Sequence, residues 1–142
     1  MSDHVAIMNP SWKLIPKILS GEKTIESRWY QTRRAPWDGL RVDDRVFFKG
    51  SGKFVTATAR VAEVLQFQIE TLRDAEQIVK KYGEETCLVN PNPRTWGKLP
   101  KYCVLVRLKD PAVVKKPFAI DKRGFGTGAA WLMVKDIDQV RV

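Results

Sequence analysis

The eight residues Gly21-Glu22-Lys23-Thr24-Ile25-Glu26-Ser27-Arg28 constrain this chain more than any others, because they set lysine, glutamate and arginine inside what reads as a β-strand. Side chains alternate faces along a strand, so Ile25, Ser27 and Trp29 share one side of the segment Thr24 to Tyr30, and Thr24, Glu26, Arg28 and Tyr30 share the other. One face is therefore chemical rather than apolar. Glu26 and Arg28 are two positions apart on it, about 7 Å along the backbone, close enough to pair or to grip one ligand between them. Lys23, at the strand's entry, reaches the same space. Three ionisable groups on a strand face are costly unless they pair, so the cluster is either a ligand site or an ion-pair network that closes the mouth of a barrel.

Strand signals dominate the rest of the chain. Val5 to Met8, Arg45 to Lys49, Phe54 to Phe67, Tyr102 to Leu108, Ala112 to Ile120 and Ala130 to Val134 read as extended segments. Val55, Ala57, Ala59 and Val61 alternate with Thr56, Thr58, Arg60 and Ala62, as in a half-exposed antiparallel strand. A short helix over Leu14 to Leu19 takes Pro16 in its first turn and ends at Gly21. A longer one over Thr71 to Tyr82 has Thr71 as its cap, a Glu76–Lys80 pair at i, i+4 and Gly83 as its stop. There is no regular βα alternation, so the expectation is an α+β fold, a mixed barrel with two or three flanking helices, as one domain over residues 1–142.

The spacing G-x-K-x-x-E-x-R, preceded by Leu14-Ile15-Pro16-Lys17-Ile18-Leu19, resembles the signature of the ASCH domain family, a branch of the PUA-like superfamily. The resemblance is strongest from Ile7 to Phe67 and includes the turn and strand Gly39 to Val46. It implies a small PUA-like pseudo-barrel with a cleft beside the motif, an RNA-binding site in many members and an amidohydrolase site in some. In those amidohydrolases the catalytic set is a lysine, a threonine and a later glutamate. Lys23 matches the lysine, but Glu26 stands in the threonine's place, and Glu63, Glu76, Glu84 and Glu85 are all open as the later acid.

Charge points to the same class of partner. The net charge is +9, with +5 carried by Lys13 to Lys53 (10 basic, 5 acidic) and +7 by Arg94 to Arg123 (9 basic, 2 acidic). Such an excess favours a phosphate backbone, and the basic stretches also carry Trp29, Tyr30, Trp37, Trp96 and Tyr102, which can stack on bases. The expected partner is RNA or a nucleotide, bound by Arg28, Trp29, Tyr30, Arg33, Lys49, Ser51, Lys53 and Trp96, with Lys23 and Glu26 as the catalytic pair if the site turns over substrate. Two functions remain open: an RNA-binding module, with or without hydrolytic activity on RNA, and an amidohydrolase acting on a modified nucleoside such as N4-acetylcytidine.

Other motifs exclude chemistry. Gly124, Gly126 and Ala129 fit G-x-G-x-x-A, but only 13 residues follow, so Gly124 to Gly128 reads as a turn or a loop over the cleft. Gly50-Ser51-Gly52-Lys53 is too short for a P-loop, though it can still touch a phosphate. His4, the sole histidine, is expected in a frayed terminus, leaving no histidine triad or metal site, and no cofactor is expected. Cys87 and Cys103 suit buried thiols in a reducing compartment. No apolar run approaches the roughly 20 residues that span a bilayer, and Met1 to His4 has no secretory leader, so the expected location is cytoplasmic.

Overall fold

The alternation in the sequence becomes a single mixed sheet in the computed structural model, which describes residues 2–126 and 128–142. Its strands are β1 (Asp3–Met8), β2 (Ile25–Tyr30), β3 (Arg45–Gly50), β4 (Val55–Gln68), β5 (Tyr102–Phe118) and β6 (Trp131–Val134), and its helices are α1 (Leu14–Ser20) and α2 (Leu72–Thr86). The spatial order is β2-β5-β4-β3-β1-β6. Only β1 and β3 run parallel; every other pairing is antiparallel. The sheet curls into a half-barrel and leaves β2 and β6 as its two edges.

The curl separates three apolar clusters. The main one fills the inner side with Ala6, Met8, Val46, Phe48, Ala57, Ala59, Val61, Val104, Val106 and Trp131, and Leu14 and Ile18 of α1 plug it. Burying each large side chain fully stabilises the fold by about 1.5–3 kcal/mol, so this cluster is what makes the curl worthwhile. Val5, Ile7, Phe47, Phe118, Leu132 and Ile137 form a second cluster on the outer side. Ile25, Cys103 and Leu105 form a third, covered by Ala75 and Ile78 of α2.

Several local expectations change. Gly83 does not stop α2, which runs three residues further to a left-handed Cys87 (φ 53°), because a lone glycine costs a helix interior only about 1 kcal/mol. Thr71 caps it as expected, exchanging hydrogen bonds with Asp74. Glu76 pairs with Arg94 at 3.3 Å rather than with Lys80. The two segments read on either side of Asp110-Pro111 are one strand, β5. There Asp110 takes a left-handed conformation (φ 53°) and the register against β4 shifts, and such a bulge accommodates a proline that cannot donate to the ladder.

His4 is not frayed. It sits in β1 with no solvent exposure, bonded through Nε2 to Asp44 Oδ2 at 2.9 Å, while Trp131 Nε1 donates to its Nδ1 at 3.1 Å. Asp44 also accepts from the backbone amides of Ser2 and Arg41, which ties the chain's start to the β3 entry turn. Cys103 is buried and burial pushes its thiol pKa up, but Cys87 is only half-buried. No helix among the described residues is long and apolar enough to cross a membrane.

Candidate functional site

β2 carries the two-faced pattern into three dimensions. Its register against β5 sets Glu26 opposite Val106 and Arg28 opposite Val104, both valines of the inner core, whereas Ile25 and Trp29 turn to the α2 side. Glu26 and Arg28 therefore project into the half-barrel. Glu26 accepts from Lys23 Nζ at 3.2 Å and from Arg28 Nη2 at 3.1 Å. Their side chains are 1% (Lys23), 4% (Glu26) and 11% (Arg28) exposed, so this is a sealed triad rather than a surface ion pair.

Backbone carbonyls hold both cations of the triad as well. Lys23 Nζ also donates to the carbonyls of Ile25, at 2.9 Å, and Thr86, which ties β2 to the end of α2. Arg28 donates to Ala130 O at 3.1 Å and Ile7 O at 3.2 Å. It thus crosses from edge strand β2 to the start of edge strand β6, bridging by side chain the seam that backbone pairing leaves open. Burial pushes the Glu26 carboxyl up, but Lys23 and Arg28, through charge and hydrogen bonds, outweigh it and hold the group below the ordinary glutamate range.

A cavity of about 530 Å³ opens at this seam. Tyr30 of β2, Arg34 and Ala35 form one side; Ala130, Trp131 and Met133 form the other; Phe125, Gly126, Gly128 and Ala129 border it. The glycine-rich segment thus lines the cleft, with Thr127 outside the described residues. The Arg28 guanidinium lies 5.1 Å from the ring centre of Trp131, a lining residue, so the triad stands behind the cleft wall although none of its three members lines the cavity. Arg34 lies 5.3 Å over Tyr30. Beside them Arg33 lies 5.8 Å from Trp37 and 5.4 Å from Tyr102, whose rings meet edge to face at 5.1 Å.

The structure divides the residues singled out from sequence. Arg28, Tyr30 and Arg33 gather at or beside the seam. Trp29 and Trp96 do not: they pack on each other at 4.8 Å on the α2 side, away from Glu26 and Arg28, because strand alternation sends Trp29 to the other face. Lys49 pairs in register with Ile7 and lies on the outer side with it, where burial, then the charge of Lys122, lowers its pKa. Ser51 and Lys53 sit in the exposed β3–β4 turn, and neither lines the seam cavity. Three of the four candidate later acids are engaged elsewhere, Glu63 and Glu85 with Arg107 and Glu76 with Arg94, and Glu84 is exposed on α2 and does not line the cleft.

Sequence reasoning left out Arg34 and Trp131. An Arg-Arg pair before Pro36-Trp37 signals a cationic loop but does not say which arginine meets Tyr30. Trp131 reads as one more apolar strand residue, and only the curl brings it across from β2. Among the described residues no cluster of three or more His, Cys, Asp or Glu side chains is arranged to hold a metal ion.

No family model and no curated protein matches the chain. Its fold is that of solved structures. The ASCH protein of Zymomonas mobilis superposes with a TM-score of 0.68 at 19% identity, covering 96% of this chain and 90% of that one. A single-substitution variant of the same protein gives 0.69 over 98% and 94%. The N-terminal domain of Staphylothermus marinus McrB gives 0.60 at 12% identity, over 96% and 90%. The expected PUA-like pseudo-barrel is thus the fold observed.

Proposed function

We propose that the chain is a single ASCH-type domain spanning residues 1–142 that binds RNA, taking an unpaired nucleotide into the seam cleft. Supporting this reading is the cleft itself: a cavity within the usual ligand-site range of about 300–1,000 Å³, lined by Tyr30 under the Arg34 guanidinium, with Arg33 beside it and no carboxylate in the described lining. A phenol ring and a guanidinium plane offer two stacking surfaces for a base, and guanidinium groups pair with phosphate oxygens. The overall +9 charge supplies the long-range attraction. The ASCH likeness of the fold agrees with this partner class.

Binding without turnover is the reading favoured here. The described lining contributes neither carboxylate nor imidazole for proton transfer, and the Lys23 ammonium already donates to one carboxylate and two carbonyls. In this reading Lys23 and Glu26 act through Arg28, which holds the two edges of the cleft at a fixed spacing.

Titration of a fluorescently labelled single-stranded RNA between about 50 and 200 mM salt is the test, with a slope of about −0.7 in log affinity per neutralised phosphate expected. Tyr30→Ala and Arg34→Ala should each weaken binding by about 1–3 kcal/mol, the usual worth of a base-stacking contact. Absence of association at the lowest salt, or unchanged affinity in both variants, defeats the proposal. Product in a mass-spectrometric screen of RNA and modified nucleosides would return it to the hydrolase reading.

A further inference from the structure

A second cavity, of about 320 Å³, lies between the β1–α1 connection and the β3–β4 turn and shares no lining residue with the seam cleft. Its walls are largely apolar, with Met8, Pro10, Leu14, Ile15 and Phe54 outnumbering the neutral polar Asn9 and Thr56. Two lysines, Lys13 and Lys53, also line it, no carboxylate does, and neither lysine takes part in an ion pair among the described residues.

Both lysines are placed by backbone features. Lys13 is held in a left-handed conformation (φ 55°), donating its N–H to Pro10 O at 3.3 Å, at the junction where a 3₁₀ turn (Pro10–Trp12) gives way to α1. A non-glycine residue seldom adopts that region unaided, so the junction, not Lys13's own preference, sets its position. Gly50 forms the base of the other side. A Cβ there would stand 3.1 Å from Pro10 Cβ and 3.2 Å from Lys53 Cγ, so the Lys53 stem lies close over the bare backbone. Phe54 stays 56% exposed at the cavity, and Trp12, next to Lys13, is 49% exposed.

We propose that this cavity binds a small amphiphilic monoanion, with its aromatic or medium-length aliphatic body against Leu14, Ile15 and Phe54 and its carboxylate or sulfonate met by Lys13 and Lys53. Charge complementarity selects the class. Both lysines are exposed at the rim, so a neutral apolar molecule gains only from the walls and a hydrated sugar-phosphate only from the lysines, whereas an amphiphilic monoanion gains from both. The site is separate from the RNA cleft and does not depend on it.

The probe is 8-anilinonaphthalene-1-sulfonate, titrated into the intact chain and followed by its fluorescence. The expected result is saturable one-site binding, displaced by octanoate at concentrations where uncharged octan-1-ol does not displace it. Lys13→Glu with Lys53→Glu should weaken binding about tenfold or more, while Arg34→Ala should leave it unchanged. Lys13→Gln with Lys53→Gln supplies the same comparison should charge reversal disturb folding. Non-saturating signal, equal affinity in the lysine variants, loss in Arg34→Ala, or displacement by single-stranded RNA would each overturn the proposal.

Discussion

Glu26→Gln is the substitution that best separates a structural triad from a catalytic one. It keeps the side chain's size and its carbonyl oxygen but removes the only negative charge between two buried cations, Lys23 at 3.2 Å and Arg28 at 3.1 Å. Breaking a buried ion pair from one side costs about 3–5 kcal/mol, because the partner's charge is left desolvated without compensation. Here two partners are left, although each keeps two backbone carbonyls, so the middle of that range is the reasonable figure. For a chain of this size roughly 3 °C in Tm accompanies each kcal/mol, which makes the drop about 10–15 °C. Lys23→Met should cost less, since it leaves Glu26 and Arg28 as a balanced pair. In the Glu26→Gln background its cost should shrink further, because it then removes an uncompensated charge. Urea denaturation of the two single variants and the double variant measures all three quantities. A Glu26→Gln cost within about 1 kcal/mol of zero, or strict additivity with Lys23→Met, would refute the sealed-triad argument and reopen direct chemistry at Glu26.

His4 makes stability depend on pH in a window free of other histidines. Burial, outweighing the nearby carboxylates Asp44 and Asp3, lowers its pKa from the ordinary 6.5. The unfolded chain therefore takes up a proton first, and stability should fall as pH drops below about 6.5 toward the folded value, by at most about 1.4 kcal/mol per pH unit. Denaturation at pH 7.5 and 5 checks this against His4→Asn, which should flatten the dependence; a wild-type chain that gains stability on acidification would contradict it. Trp29→Phe should change stability by less than about 1 kcal/mol, because the buried indole N–H has no partner to lose, and should leave RNA affinity intact. A drop in affinity in that variant would return Trp29 to the ligand site. Thr71→Ala should destabilise the fold by about 1 kcal/mol through loss of the α2 cap, read as a shift in denaturation midpoint without loss of ligand affinity.

Local chemistry in the sequence was enough for the two-faced strand β2, the α1 stop at Gly21 and the Thr71 cap, since each depends on side chains within a few residues of one another. The alternation in β4 was equally readable, with Val55, Ala57, Ala59 and Val61 all buried. The convergence of Lys23, Glu26 and Arg28 was legible for the same reason, but not whether they face a ligand or seal a wall. That depends on what lies opposite, and the carbonyls of Ile7, Thr86 and Ala130 come from segments 21, 63 and 102 positions away from their partners. Distance along the chain also hid the roles of His4 and Trp131, 127 positions apart and joined by one buried hydrogen bond. The sequence by itself determined a basic mixed-sheet chain with one charged strand face. The curl of the sheet decided where that face points, which aromatics stand beside it, and that the gap between β2 and β6 is bridged by a guanidinium and left open as a cleft: edge strands that do not pair must satisfy their seam with side chains, and only the tertiary arrangement says whose.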